Sequence, residues 1–172
     1  TMKADDTFDA CALLEAAKTV AVEAGERILE IYDSEFAIQH KDDKSPLTEA
    51  DLAAHRSIVA GLSALTPDIP VLSEESASIP FAERSRWTRY WLVDPLDGTR
   101  EFIKRNGEFT VNIALIHDGQ VELGVVYVPV MRLAYYACTG GGAFKQTSGA
   151  APEPIRVRAL GNGPVVVAGS RS

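Results

Sequence analysis

Tyr90-Trp91-Leu92-Val93-Asp94-Pro95-Leu96-Asp97-Gly98-Thr99 is an apolar run that ends in two carboxylates and a glycine. Its first four residues have the texture of a strand buried on both faces. Pro95 has no amide hydrogen for a ladder, so pairing is predicted to stop there, with Asp97 following through a tight turn. Gly98-Thr99 then opens a short predicted helix over Arg100-Glu101-Phe102-Ile103-Lys104.

Upstream, Pro70-Val71-Leu72-Ser73 reads as a second strand, running into Glu74-Glu75. Thr48-Glu49-Ala50-Asp51 has the spacing of a capping box and opens a predicted helix carrying Leu52, Ile58, Val59, Leu62 and Leu65. Residues 33–47, polar and interrupted by Pro46, are expected to form a loop or short extended piece. Before them, Leu13, Leu14, Ala17, Val20, Ala21, Ala24, Ile28 and Ile31 recur every three or four residues. That period predicts one amphipathic helix over about residues 8–32, capped from Asp5, Asp6 or Thr7. Gly25 either weakens that helix or lets a neighbour approach closely.

Downstream, Thr110 to Ile116 and Val121 to Val128 flank His117-Asp118-Gly119-Gln120, a hairpin signal, with Gly124 marking a bulge. Leu133 to Cys138 is a further strand, Gly140-Gly141-Gly142 a turn before Ala143-Phe144-Lys145, and residues 146–154 a loop. Ile155 to Val157 and Pro164 to Ala168 read as strands. The whole is an α+β fold, two long N-terminal helices packed on a mostly antiparallel sheet. Residues 1–154 form the N-terminal unit, and 155–172 begin a second. The apolar stretch so close to Ser172 reads as part of a layer that this chain lacks.

Carboxylates crowded at strand ends repel one another and call for a cation. Hard oxygen donors, with the Leu96 carbonyl left free by the turn, select Mg²⁺, Mn²⁺ or Ca²⁺. A helix opening at Gly98-Thr99 offers amide hydrogens to a phosphate, and a residue without a side chain allows close approach. These parts describe metal-assisted phosphoryl hydrolysis. His40, His55 and His117 are scattered, with no nucleophile–histidine pairing for a covalent route.

Composition agrees. The chain has 172 residues, 46% apolar, with 17 Lys and Arg against 24 Asp and Glu for a net charge of -7. That balance suits a globular domain and disfavours a nucleic-acid partner. Cys11 and Cys138 are too few for a disulfide framework and lack zinc spacing, so two packed free thiols are expected. No apolar run has membrane-spanning length and no signal-like leader opens the chain, so a cytoplasmic location is expected.

Asp94-Pro95-Leu96-Asp97-Gly98-Thr99 resembles the D-P-[IL]-D-G-T motif of the inositol monophosphatase superfamily of Mg²⁺-dependent, Li⁺-sensitive phosphatases. Ser73-Glu74-Glu75-Ser76 resembles its Glu-Glu motif, and Thr48-Glu49-Ala50-Asp51 its Thr-x-x-Asp element. The stretch from Tyr90 to Ile116 is similar to the CysQ-type 3′(2′),5′-bisphosphate nucleotidases, which convert adenosine 3′,5′-bisphosphate, a by-product of sulfate assimilation, into AMP and phosphate. The resemblance implies a layered fold whose second sheet is mostly missing here. It implies Glu74, Asp94, Asp97 and the Leu96 carbonyl as ligands of two or more Mg²⁺ ions, Mn²⁺ substituting. It implies Glu75 as a ligand of a weaker metal, and Asp51 with Thr99 as the pair that orients and deprotonates the attacking water. Gly98 and Thr99 would hold the phosphate.

Arg100, with Lys104 and Arg105, either docks a second phosphate or forms a solvated basic face. Trp87 and Trp91 either stack on adenine or fill the core, and His55 is expected to be an ordinary surface or helix-packing residue. A homodimer and a peripheral association with the inner membrane are both compatible with the resemblance. The family pattern continues to a later Trp-Asp motif that this chain lacks. The chain is therefore expected to be a fragment, or one without catalytic competence.

Overall fold

A computed structural model describes residues 8–34, 46–76, 79–159 and positions 161, 163, 164, 167 and 169. The N-terminal period becomes a 3₁₀ turn, Ala10–Leu13, followed by α1, Leu14–Tyr32. Its cap is Asp9, whose carboxylate accepts from the Cys11 and Ala12 amides. Asp5, Asp6 and Thr7, the predicted caps, lie outside the described residues. The second helix, α2, spans Pro46–Leu65 and so starts two residues before the predicted box. Pro46 opens the helix rather than preceding it, because its fixed φ and missing N–H suit a first turn.

Among the described residues seven strands follow: β1 Val71–Ser73, β2 Arg89–Asp97, β3 Thr110–His117, β4 Gln120–Val128, β5 Leu133–Cys138, β6 Gly142–Thr147 and β7 Glu153–Ile155. They form one sheet in chain order, with β1 parallel to β2 and every later pair antiparallel. Two short helices interrupt the series, α3 at Phe81–Arg84 and α4 at Thr99–Lys104. The α+β, mostly antiparallel reading holds.

The periods sort residues onto faces. On α1, Ala17, Ala21, Ala24 and Ile28 are fully buried; on α2, so are Ala50, Ala54, Ile58 and Leu62. They lie against Trp91, Val93, Ile113, Leu115, Leu123 and Val125 on one side of the sheet. Small residues on the helices let the backbones come close to the sheet. At Gly25 an added Cβ would overlap the Tyr127 ring, so that glycine serves close packing. Trp91 is core, its indole N–H donating to Thr66 Oγ at 2.8 Å. Trp87 packs beside Tyr90 at 6.1 Å between ring centres.

Several local expectations change. The strand through Asp94 does not stop at Pro95 but continues to Asp97. Gly124 pairs regularly with Ala114 and Ala137, and the bulge in β4 falls at Glu122 instead. There the carboxylate takes bonds from Arg89 Nε at 3.0 Å and shares one with His117 Nδ1 at 3.0 Å. The expected loop at 146–154 holds the end of β6 and most of β7, whose Pro154 is tolerated on an edge strand. The strand expected over Pro164 to Ala168 lies largely outside the described residues. Finally, Cys11 and Cys138 are not free thiols; their sulfurs are joined in a disulfide with Cα atoms 5.5 Å apart. Helix and strand meet at that distance only in three dimensions, which their separation of 127 residues conceals.

Candidate active site

The parallel pairing of β1 and β2 brings two carboxylates to one sheet end. Ser73 is in register with Val93, and the Glu74 amide donates to the Val93 carbonyl at 3.0 Å. Glu74 and Asp94 therefore leave neighbouring strands together, at the carboxyl ends where ligands commonly bind. Between Asp94, opposite Asn112, and Asp97, opposite Thr110, β2 carries one residue more than β3. Pro95 and Leu96 fill this bulge and are buried, which places the missing amide of proline where the ladder is already broken. Asp97 accepts a bond from Asn112 Nδ2 at 3.1 Å, and Asn112 Oδ1 accepts one from Thr110 Oγ at 3.1 Å.

Asp51 comes from α2. Because the helix starts at Pro46, Thr48 is inside it and the capping-box role for Asp51 falls away. Burial pushes the Asp51 carboxyl up to about 7, helped by the charge of Glu75 and a hydrogen bond to it, then by Asp94 and Glu74. Burial also pushes Asp94 up to about 6, with Glu74 and Asp97 adding repulsion. One turn beyond Asp51, His55 Nδ1 shares a 2.9 Å hydrogen bond with the hydroxyl of Ser73, which is only 4% exposed. This bond ties α2 to the strand end that carries Glu74. His55→Ala is expected to lower stability by about 1–2 kcal/mol by stranding that buried hydroxyl, read as a lower denaturant midpoint. His55→Gln should recover part of the loss.

Gly98 stands at φ 100°, and a Cβ there would meet the Glu108 carbonyl at 2.9 Å. Thr99 and Arg100 follow at the exposed start of α4. Behind them Tyr32, Phe102 and Phe109 form a ring cluster with centroids 5.1 to 5.4 Å apart. The Arg105 guanidinium lies over Tyr32 at 4.6 Å, so it supports this cluster, while Arg100 and Lys104 are exposed.

Asp94 Oδ1 is buried and has no hydrogen-bond partner among the described residues. A buried carboxylate oxygen left so, beside three other acidic groups, fits a hard-cation ligand. No three described His, Cys, Asp or Glu side chains close around one point as they would round an ion. The donor chemistry and the orphaned oxygen fit a divalent cation. Glu74, Asp94, Asp97 and the Leu96 carbonyl are the residues that could hold it, with Glu75 beside Asp51.

In the metal-free protein Asp51 and Asp94 keep protons that the unfolded chain has already lost. Stability without metal is therefore expected to fall as pH rises from about 4 to about 7, by several degrees in Tm. Thermal scans in chelator check this: Asp51→Asn should flatten the slope, and saturating Mg²⁺ should remove it.

A concavity of about 680 Å³ opens beside Glu74, Asp94 and Asn112 and runs over the sheet face away from the helices, along Leu92, Ala114 and Val126. Asn112, Ser73 and His55 were not singled out as site residues by sequence. Their signals were faint: a polar residue in an otherwise apolar alternation, and a histidine four residues after Asp51.

The model of the inositol monophosphatase family matches residues 9–170. The chain is 53% identical over 148 residues to a protein of Salmonella typhimurium strain LT2 named 3′(2′),5′-bisphosphate nucleotidase CysQ, covering 85% of this chain and 59% of that protein. It is 44% identical over 137 residues to the protein of that name from Aggregatibacter actinomycetemcomitans, covering 80% and 51%. Among solved structures, CysQ from Bacteroides thetaiotaomicron superposes with a TM-score of 0.77 at 41% identity, covering 92% of this chain and 62% of that one. The extragenic suppressor protein suhB from Bartonella henselae superposes with a TM-score of 0.65 at 33% identity, covering 78% and 52%. The chain thus spans about three-fifths or less of the relatives it matches. With a family model matching nearly its whole length and the acidic strand ends it leads one to expect, the chain belongs to the inositol monophosphatase family.

Proposed function

We propose that the protein containing this chain hydrolyses the 3′-phosphate of adenosine 3′,5′-bisphosphate, giving AMP and phosphate with the help of Mg²⁺. The observation that carries this reading is the 53% identity to a named bisphosphate nucleotidase, across a stretch that includes every acidic residue of the site. The lower identity to a solved inositol monophosphatase, 26% for that of Staphylococcus aureus against 41% for CysQ of Bacteroides thetaiotaomicron, favours the nucleotide over an inositol ester.

In this reading Glu74, Asp94, Asp97 and the Leu96 carbonyl hold the principal cation, and Glu75 contributes to a weaker second one; Mn²⁺ can replace Mg²⁺. A cation held there supplies positive charge against the phosphate and acidifies water. Asp51 and Thr99 orient the attacking water and take its proton. The amides of Gly98 and Thr99 hold the phosphate oxygens, and Arg100 faces a second phosphate. Asn112 fixes Asp97 in orientation. Residues 1–154 form the metal-binding unit, and 155–172 begin a second one.

No helix among the described residues is long and apolar enough to cross a membrane. We place the protein in the cytoplasm, with a homodimer as its form. Phosphate release from adenosine 3′,5′-bisphosphate and from inositol 1-phosphate, with Mg²⁺ and then with added Li⁺, tests the reading. Li⁺-sensitive preference for the nucleotide supports it. Preference for the inositol ester, or release from neither, overturns it.

A further inference from the structure

We propose that Cys11 and Cys138 form a site of reversible thiol oxidation by low-molecular-weight disulfides, a covalent clasp remote from the carboxylate site. The pair joins the N-terminal 3₁₀ turn to the end of β5, and nothing in the proposed hydrolysis uses it. Two further features equip the spot. At Gly141 an added Cβ would overlap both sulfurs, so the turn after β5 leaves room for the crosslink only because that residue lacks a side chain. The same N-terminal segment is held a second time, where the Arg89 guanidinium lies over the Phe8 ring at 4.1 Å. With this contact in place the turn stays against the sheet when the sulfurs separate, which keeps the thiols paired for closure.

Exposure assigns an order to the two cysteines. Cys138 is 7% exposed, whereas Cys11 is only half-buried. The Cys11 thiolate attacks the incoming disulfide, forming a mixed disulfide and releasing one thiol. The Cys138 thiolate then attacks the Cys11 sulfur, closing the clasp and releasing the second thiol. Two protein thiols are oxidised, one small disulfide is reduced to two thiols, and the cysteine protons end on those thiols. A disulfide of this kind in a reducing compartment is ordinarily a redox-responsive one.

The clasp acts on stability rather than on chemistry. Trp91, Leu115, Leu123 and Cys138 are level across the sheet, whereas Asp94 is three residues further along β2. Strand dimensions put Cys138 about 10 Å along and about 14 Å across from Asp94. Closure ties a loop of 127 residues, which restricts the unfolded chain strongly. The oxidised protein is expected to melt about 10 °C above the reduced one.

The native polypeptide, equilibrated with oxidised glutathione and followed by intact mass and melting temperature, tests this without reference to its substrate. Expected are loss of two hydrogens, a rise in Tm reversed by dithiothreitol, and no response of Tm in Cys11→Ser. Cys138→Ser should trap glutathione on Cys11, while Cys11→Ser should add it to Cys138 at least about tenfold more slowly. Equal melting of the oxidised and reduced wild type overturns the proposal. So does a crosslink that forms in neither direction under these conditions, or equal glutathione uptake at both cysteines.

Discussion

Replacing Asp94 with Asn is expected to reduce phosphate release by about 10³-fold or more, while making the metal-free protein more stable at neutral pH. The two effects have one cause. Asp94 lies at the junction of parallel and antiparallel pairing, with Glu74 on one side and Asp97 three residues on. Burial and these neighbours push its carboxyl up to about 6, so at neutral pH the empty site bears an unfavourable charge. Amide replacement removes the charge and keeps the shape. It also takes the anionic charge from the group whose Oδ1 is buried without a hydrogen-bond partner among the described residues. Lower activity with higher metal-free stability is the pattern of a site selected for binding rather than for folding. A variant that lost both activity and stability would instead mark Asp94 as structural.

Gly98→Ala is expected to cost about 2–4 kcal/mol of stability and most of the activity, because two independent constraints meet there. At φ 100° a side chain is strained whatever space surrounds it, and here the Cβ would also face the Glu108 carbonyl at 2.9 Å. That carbonyl is backbone, held next to Phe109, whose ring is locked between Tyr32 and Phe102. Neither side can yield cheaply, so the β2–α4 turn must shift and carry Asp97 and Thr99 with it. Denaturant titration of the variant, with phosphate release measured at a temperature where it is folded, separates the two losses. A destabilisation under about 1 kcal/mol would show that the turn is softer than this packing indicates.

The contrast between what the residues announce and what they conceal follows the range of the forces. Asp94 to Thr99 declares itself because proline, two carboxylates and a glycine within six residues have few shared uses. The α1 stripe and the Asp118-Gly119 hairpin are equally local, and both appear where expected. The β2 bulge was hidden because Pro95 ends a ladder unless the partner strand is one residue short, and only pairing with Asn112 and Thr110 reveals that. In the same way the bulge at Glu122 is set by Arg89 and His117 rather than by the flexible Gly124. The start of α2 at Pro46 was obscured by a second plausible cap at Thr48. The disulfide, the Ser73–His55 bond and the Asn112–Asp97 bond all join residues distant in sequence, and composition carries no trace of them.

The most direct measurement is phosphate release from adenosine 3′,5′-bisphosphate by the native polypeptide as Mg²⁺ is titrated from chelator upward, with Asp94→Asn measured beside it. A cation held by the strand-end carboxylates predicts no release in chelator, saturable recovery in the wild type, and no recovery in the variant. Release that persists in chelator, or a variant that recovers to within about tenfold of wild type, would contradict it.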